Sequence, residues 1–295
     1  MTRIITLTTD FGSTDPFVGI MKGVILSIAP HARLVDLTHE IATGNILTAA
    51  LTIEAAIHYF PRETIHLAVV DPGVGTTRKP IAIQHNNQYF VGPDNGLFSL
   101  ILNNNNDNQN SSEQSSQTAR IIHLTNKKYF RKPLSPTFHG RDIFAPVAGH
   151  LALHTDINQL GTPLTHIHEI NIPPLIHHND NTITAQVIAV DHFGNLITNC
   201  QDQDLAHHQG DTTGITINLP ADSPYHKNNP DSPDLLIIPR LSRTFAEVNH
   251  EKPLAYIGST RRLEIAIRDA NAAQQFALKP GSSIHITISD TEISS

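Results

Sequence analysis

Residues 3–38 read RIITLTTDFGSTDPFVGIMKGVILSIAPHARLVDLT, and their order decides the fold class. RIITLT is a short apolar run rich in β-branched residues, the composition of a strand. In TTDFGSTDPF, Gly and Pro interrupt regular structure, and FVGIMKGVILSIA then resumes with helical patterning. The rhythm returns with RLVDLT at 33–38, the helix-like NILTAALTIEAAIHYF, and TIHLAVV at 64–70. Strands alternating with helices of this length predict βαβ units and an α/β fold with a mostly parallel sheet. Ligands of such sheets bind at the carboxyl ends of strands, where TTDFG and DPGVG fall, so both loops are expected to face one crevice.

The pattern changes after INIPPLIHHNDNT at 170–182, a segment with two prolines and a polar turn. Beyond it come TITAQVIAV, NLITNC, GITINL, DLLIIP, LEIAI and SIHITI, strand-like runs without long helices. The expected organisation is an N-terminal α/β domain over 1–174 and a smaller C-terminal β domain, sandwich or barrel, over 175–295. The length of 295 residues suits two domains, at roughly 100 to 200 residues each. Residues 102–118, LNNNNDNQNSSEQSSQT, offer almost no apolar side chains and read as a mobile surface insertion.

Hydrophobic residues make up 39% of the chain and charged residues 16%, which predicts a packed core rather than disorder. A net charge of -7, without a Lys/Arg run interleaved with aromatics, argues against nucleic acid as a partner. No membrane association is expected, because nowhere do 18 apolar residues run together. The start MTRIITLTTD is strand-like and lacks the marks of a signal peptide, so a cytoplasmic location is expected. A single cysteine, Cys200, excludes an internal disulfide and a multi-thiolate metal site. The nineteen histidines lie mostly in polar stretches and form no HExxH, so no metal is expected.

Three polar loops carry the candidate chemistry. Asp10 directly follows the first strand, where a carboxylate can accept two hydrogen bonds from a ribose diol or cap the next helix. GxGxxG and Walker loops are absent. In VVDPGVGTTRKP, Pro72, Gly73 and Gly75 force a tight turn that lets Asp71 and Arg78 meet, as a structural ion pair or as a carboxylate that orients water. In PTFHGRDIFAP, His139 titrates near neutrality and can share a proton with a carboxylate or water. Further on, DHFGNLITN offers Asp191, Phe193 and Asn195 in a turn, a carboxylate, an aromatic and an amide suited to a base or an amino acid. Ser259 lies in YIGSTRRLEIAI.

Taken in order, TTDFG, VVDPGVGTTRKP, GPDNGLFS, TFHGRDIFAPVAGHLA, DHFGNLITN and IGSTRRLEIA closely resemble the S-adenosyl-L-methionine hydroxide adenosyltransferase family, the water-using relative of fluorinase and chlorinase. The resemblance implies hydrolysis of S-adenosyl-L-methionine to adenosine and L-methionine, with no cofactor. It implies an N-terminal α/β domain, a C-terminal β-barrel-like domain, and a homotrimer with active sites at subunit interfaces. By the same resemblance Asp71, Arg78 and His139 handle the attacking water, and Asp10 binds the ribose hydroxyls. Asp191, Phe193, Asn195 and Ser259 fall where the methionine end or the adenine is held, and backbone groups near Ile267 and Asp269 meet the adenine edge.

The resemblance also separates hydrolase from halogenase: halide-using members carry Tyr at the position of Asp71 and Ser at that of Gly140. A carboxylate repels halide but can accept a proton from water. The chain departs from many hydrolases in Thr260-Arg261-Arg262, where a smaller Ser-Gly type of segment is expected. The rival readings are an S-adenosylmethionine-dependent halogenase and a non-catalytic S-adenosylmethionine or adenosine sensor.

Overall fold

Thr6 and Leu7 in the first strand pair with neighbours on both sides, which places β1 (Ile4–Thr9) inside a sheet rather than at its edge. The computed structural model describes residues 3–103, 119–178, 182–205, 215–219, 223–225 and 235–287. From residue 104 onward, the Asn-rich stretch read as an insertion lies outside the described residues. The chain divides into two units, Met1–Ile170 and Asn171–Ser295.

In the first unit, β1 leads through α1 (Phe17–Ile28) to β2 (Arg33–Thr38), then through α2 (Ile46–Ile57) to β3 (Ile65–Val69). β4 (Pro80–His85), β5 (Gln88–Pro93), α3 (Ser99–Asn103), β6 (Arg120–Leu124), α4 (Ala145–Ala152) and β7 (Gly161–Leu164) follow. The sheet order is β2-β1-β3-β5-β4-β6-β7. The α/β class holds, but the sheet is mixed: the first three pairings are parallel and the last three antiparallel. The physical reason is the Asn86-Asn87 turn, whose φ values of 48° and 60° match the right-handed twist of a tight hairpin and fold β5 back on β4.

Successive residues of β3 serve opposite faces. Leu67 and Val69 join the core formed with Met21, Ile25 and Leu151, while Ala68 and Val70 join the one formed with Ile53, Ile57 and Phe98. Burial on both faces explains why TIHLAVV is apolar without alternation.

In the second unit the named strands pair antiparallel. Its strands are β8 (Ile176–His177), β9 (Thr182–Val190), β10 (Leu196–Gln201), β11 (Ile215–Asn218), β12 (Leu235–Ile238), β13 (Pro253–Ile257), β14 (Arg262–Ile267) and β15 (Ser283–Thr287). The sheet runs β12-β11-β15-β9-β10-β14-β13, with β8 beside β9. Leu241, three residues past β12, bridges Ala255 of β13, and the Ser242 amide donates to the Ala255 carbonyl at 2.7 Å. These contacts bring the two ends of the sheet together into a nearly closed barrel. Ile183, Ala185 and Val187, with Leu263, Ile265 and Ile267, alternate inward to fill it. Cys200 is fully buried there, and burial pushes its thiol up to about 12, so it serves as a small core residue.

Candidate active site

The connections after β1 and β3 leave in opposite directions across the sheet, which opens a crevice at the carboxyl ends of these neighbouring strands. Asp10 follows Thr9, and Asp71 stands two residues beyond Val69, the partner of Thr9. Asp10 Oδ2 accepts the Gly44 amide at 2.8 Å; among the described residues its other oxygen accepts no hydrogen bond. Asp10, Asp71, Phe11, Phe17, Thr43, Gly44 and Pro72 line a cleft of about 330 Å³. The PDNG motif braces this end of the sheet: Asn95 Nδ2 donates to the Val70 carbonyl at 2.9 Å.

Asp71 and Arg78 do meet. Arg78 Nε donates to Asp71 Oδ1 at 2.8 Å and Nη2 to Oδ2, with side chains only 5% and 8% exposed. The guanidinium lies 5.3 Å from the centroid of the buried Phe144 ring, and its Nη1 is buried without a partner. Nη2 also contacts His139 Nδ1 at 2.8 Å. A guanidinium can only donate, so Nδ1 must be the acceptor and the neutral ring carries its proton on Nε2. Burial, and then the Arg78 charge, pull His139 below the ordinary imidazole pKa, against upward pulls from Asp71 and Asp142.

Two local devices bring His139 to this pair. Gly75 has φ +77°, and a Cβ there would stand 2.6 Å from the Pro136 carbonyl oxygen, so only glycine lets the two loops approach this closely. The loop that carries His139 is tied by Asp142, whose side chain is wholly buried. Asp142 Oδ2 accepts the Ser135 amide at 2.7 Å, Arg141 grips both oxygens, and the Asp142 carbonyl accepts the Arg131 amide at 2.9 Å. Burial alone would raise the Asp142 carboxyl, but the Arg141 and Ser135 hydrogen bonds outweigh it and hold the group below the usual range. Residues Gly140–Phe144 form a π-helical turn before α4, a widening of the helix that recurs at functional sites.

In the second unit, Asp191, Phe193, Asn195, Ser259, Ile267 and Asp269 all line one cleft of about 780 Å³. Asp191 Oδ1 accepts the amides of Phe193 at 2.9 Å and Asn195 at 2.8 Å, and Oδ2 accepts Asn195 Nδ2 at 2.8 Å, so this carboxylate builds its own turn. Phe193 is 73% exposed, and Phe245 also faces the cleft. The departure at 260–262 has a local account: Arg261 occupies the left-handed region at φ 59°, where a glycine costs least, and its Nε donates to Asp202 at 2.9 Å.

Each candidate residue therefore lies in one of two groups, Asp10, Asp71, Arg78 and His139 in the first unit and the remaining six in the second. Sequence reasoning named Pro72 only as a turn former and missed Thr43, Gly44, Asp142, Tyr256 and Glu264. Gly44 had a signal, as a glycine just before the Asn45 helix cap, and its φ is +72°. Among the described residues no group of three or more His, Cys, Asp or Glu is placed to hold a metal ion, and no helix is long and apolar enough to cross a membrane.

The chain is similar to several known proteins. A protein of Salinispora tropica named (R)-S-adenosyl-L-methionine hydrolase is 32% identical over 285 residues, covering 96% of this chain and 97% of its own. One of the same name from Methanocaldococcus jannaschii is 38% identical over 219 residues, 72% of this chain and 73% of its own. A fluorinase of Actinopolyspora mzabensis is 24% identical over 311 residues, 96% of this chain and 97% of its own. The crystal structure of an uncharacterized conserved protein from Thermotoga maritima superposes with a TM-score of 0.82 at 31% identity, covering 96% of this chain and 99% of that one. The family profiles of the SAM hydroxide adenosyltransferase N-terminal and C-terminal domains match residues 5–161 and 185–285. With its two domains matched in order, the chain belongs to the SAM hydroxide adenosyltransferase family.

Proposed function

We propose that the protein is an enzyme that hydrolyses S-adenosyl-L-methionine to adenosine and L-methionine, with water attacking the ribose 5′-carbon. The observation that carries this reading is the hydrogen-bonded Asp71, Arg78 and His139 chain beside the cleft lined by Asp10 and Asp71. Family membership supports it, as do the relatives named for this hydrolysis.

The sulfonium activates the 5′-carbon, so the leaving group needs no acid. Water must be held about 3 Å from that carbon, opposite the sulfur. Asp71 accepts a hydrogen bond from the water, while the donors of Arg78 and the Nε2–H of His139 fix its orientation. As the new C–O bond forms, the C–S bond breaks with its electron pair going to sulfur, which leaves as the neutral thioether of methionine. The proton lost by the water passes to Asp71 and then to solvent. Neutral His139 already bears a hydrogen on Nε2, so it orients the nucleophile and does not deprotonate it. Asp10 accepts from the ribose hydroxyls through the oxygen that Gly44 leaves free. In the second unit, Asp191, Phe193, Asn195 and Ser259 hold the methionine end or the adenine, and backbone near Ile267 and Asp269 meets the adenine edge.

Two features weigh against halide as the nucleophile. The carboxylate of Asp71 repels an anion. Gly140 stands where the resemblance gives halide-using members a serine, and glycine has no side-chain hydroxyl to donate to an anion. On the family resemblance we also propose a homotrimer with active sites at subunit interfaces, a small-molecule substrate with no cofactor, and a cytoplasmic location.

Incubation with S-adenosyl-L-methionine in oxygen-18 water tests the reaction by mass spectrometry. Adenosine labelled at its 5′-oxygen, formed with methionine, is the expected result. Ligand bound without turnover would replace this reading by the sensor.

A further inference from the structure

The end of β1 carries a chain of polar side chains to which the proposed reaction assigns no task. His39 stands one residue past β2 and beside Thr9, because Thr8 of β1 pairs with Thr38 of β2. Its side chain is only 11% exposed. Nδ1 lies 2.9 Å from Oγ1 of the fully buried Thr9, and Nε2 lies 3.0 Å from Asp36 Oδ1. Lys22 on α1 donates to Asp36 Oδ2 at 2.6 Å, so the chain runs Lys22, Asp36, His39, Thr9.

Burial alone would raise the Asp36 carboxyl, but the hydrogen bonds from Lys22 and His39 outweigh it and hold the group below its usual range. An ionised carboxylate only accepts, so the neutral His39 ring carries its hydrogen on Nε2 and leaves Nδ1 as an acceptor. The Thr9 hydroxyl then donates to Nδ1, and its oxygen accepts the Phe11 amide at 3.3 Å. The His39 carbonyl accepts the next amide, that of Gly12, at 2.8 Å. Both amides that follow Asp10 are therefore held by Thr9 and His39, and Gly12, with φ +66°, turns the chain toward α1. None of the four side chains lines the cleft of Asp10 and Asp71, so their effect on a ligand there passes through the Asp10 turn.

We infer that His39 is a positioning residue: through Thr9 it fixes the turn that aims the free oxygen of Asp10 at the ribose diol. This assignment rests on the reading of Asp10 as the ribose-binding carboxylate and deepens it, by giving the device that holds that carboxylate in one orientation. The Gly44 amide restrains one oxygen of Asp10, while Thr9 and His39 restrain the backbone from which the side chain springs. Lys22 and Asp36 tie the His39 ring to α1 and β2, the two elements that follow the turn. A hydrogen bond to a hydroxyl weakens steeply once its angle is lost, so a loosened turn costs ribose recognition before it costs the fold.

Calorimetry with adenosine and with 2′,3′-dideoxyadenosine tests this without turnover. Wild type should bind adenosine about tenfold or more tightly than the dideoxy compound. In His39→Asn the amide falls where Nδ1 stands and still meets Thr9, whereas in His39→Gln it falls nearer Nε2 and meets Asp36 instead. His39→Gln should therefore lose most of the preference, and His39→Asn should keep it within about threefold of wild type. Thr9→Val should copy His39→Gln, with no further loss when the two are combined. Thermal melts establish that each variant is folded. A folded His39→Gln protein that keeps the full preference, even if both ligands bind it more weakly, overturns the assignment and leaves the ribose role of Asp10 and the hydrolase reading intact. A wild type that binds both compounds equally overturns the ribose role of Asp10 and this assignment with it, while hydrolysis is still read from the labelled product.

Discussion

Replacing Asp71 by Asn removes the charge at the centre of the site while keeping its shape. The carboxylate takes two N–H donors from Arg78, and both side chains are more than nine-tenths buried. Asparagine offers one oxygen and one amide group, so one of the two bonds becomes a donor facing a donor. A hydrogen bond to a charged group contributes about 1.5–3 kcal/mol, and leaving a buried cation uncompensated carries the total toward about 3–5 kcal/mol. Against a usual stability of about 5–15 kcal/mol, the variant remains folded but melts at a lower temperature. The loss of rate should exceed what instability explains, because the acceptor for the water proton is gone: about 10²- to 10⁴-fold in kcat. Initial rates of adenosine release by chromatography, alongside calorimetric binding of S-adenosyl-L-methionine and a thermal melt, separate these effects. Binding should persist. A folded Asp71→Asn protein with kcat within about threefold of wild type would refute the role given to this carboxylate.

Gly75→Ala adds a Cβ 2.6 Å from the Pro136 carbonyl oxygen at a positive φ, so the Arg78 and His139 loops must separate. We expect kcat to fall about tenfold or more with little change in overall secondary structure by circular dichroism, and wild-type kinetics would contradict the loop-contact argument. His139 sets the acid limb of the pH profile. Its folded-state pKa is lowered, so its contribution to stability is complete above the unfolded value of 6.5 and is lost as pH falls toward the folded value. Rate should follow the same direction, because protonation puts a hydrogen on Nδ1 facing the Arg78 donor. An acid-limb pKa of 6.5 or above in kcat/KM would exclude His139 as the group responsible.

Much of the fold was legible because its signals are local. Gly and Pro after RIITLT, and the two strand and helix alternations that follow, sufficed to put Asp10 and Asp71 at strand ends. All six runs read as strands beyond residue 182 contain one. The β4–β5 hairpin went unread: its turn is Asn86-Asn87 rather than a glycine pair, and it changes a parallel sheet into a mixed one.

The sequence by itself determined the α/β order, the β-rich second half and, through six motifs in register, the family. These rest on periodicity and short spacings, which side-chain burial imposes along a strand or a helix. Only the tertiary structure decided which polar groups touch. His139 lies 61 residues from Arg78, and the approach of Gly75 to Pro136 and the burial of Asp142 make their contact possible and fix the tautomer of the ring. Glu264 likewise reads as one polar residue within a strand until β13 and Gly258 close over it. Contact and desolvation depend on chain segments far apart in sequence, and no local pattern encodes them.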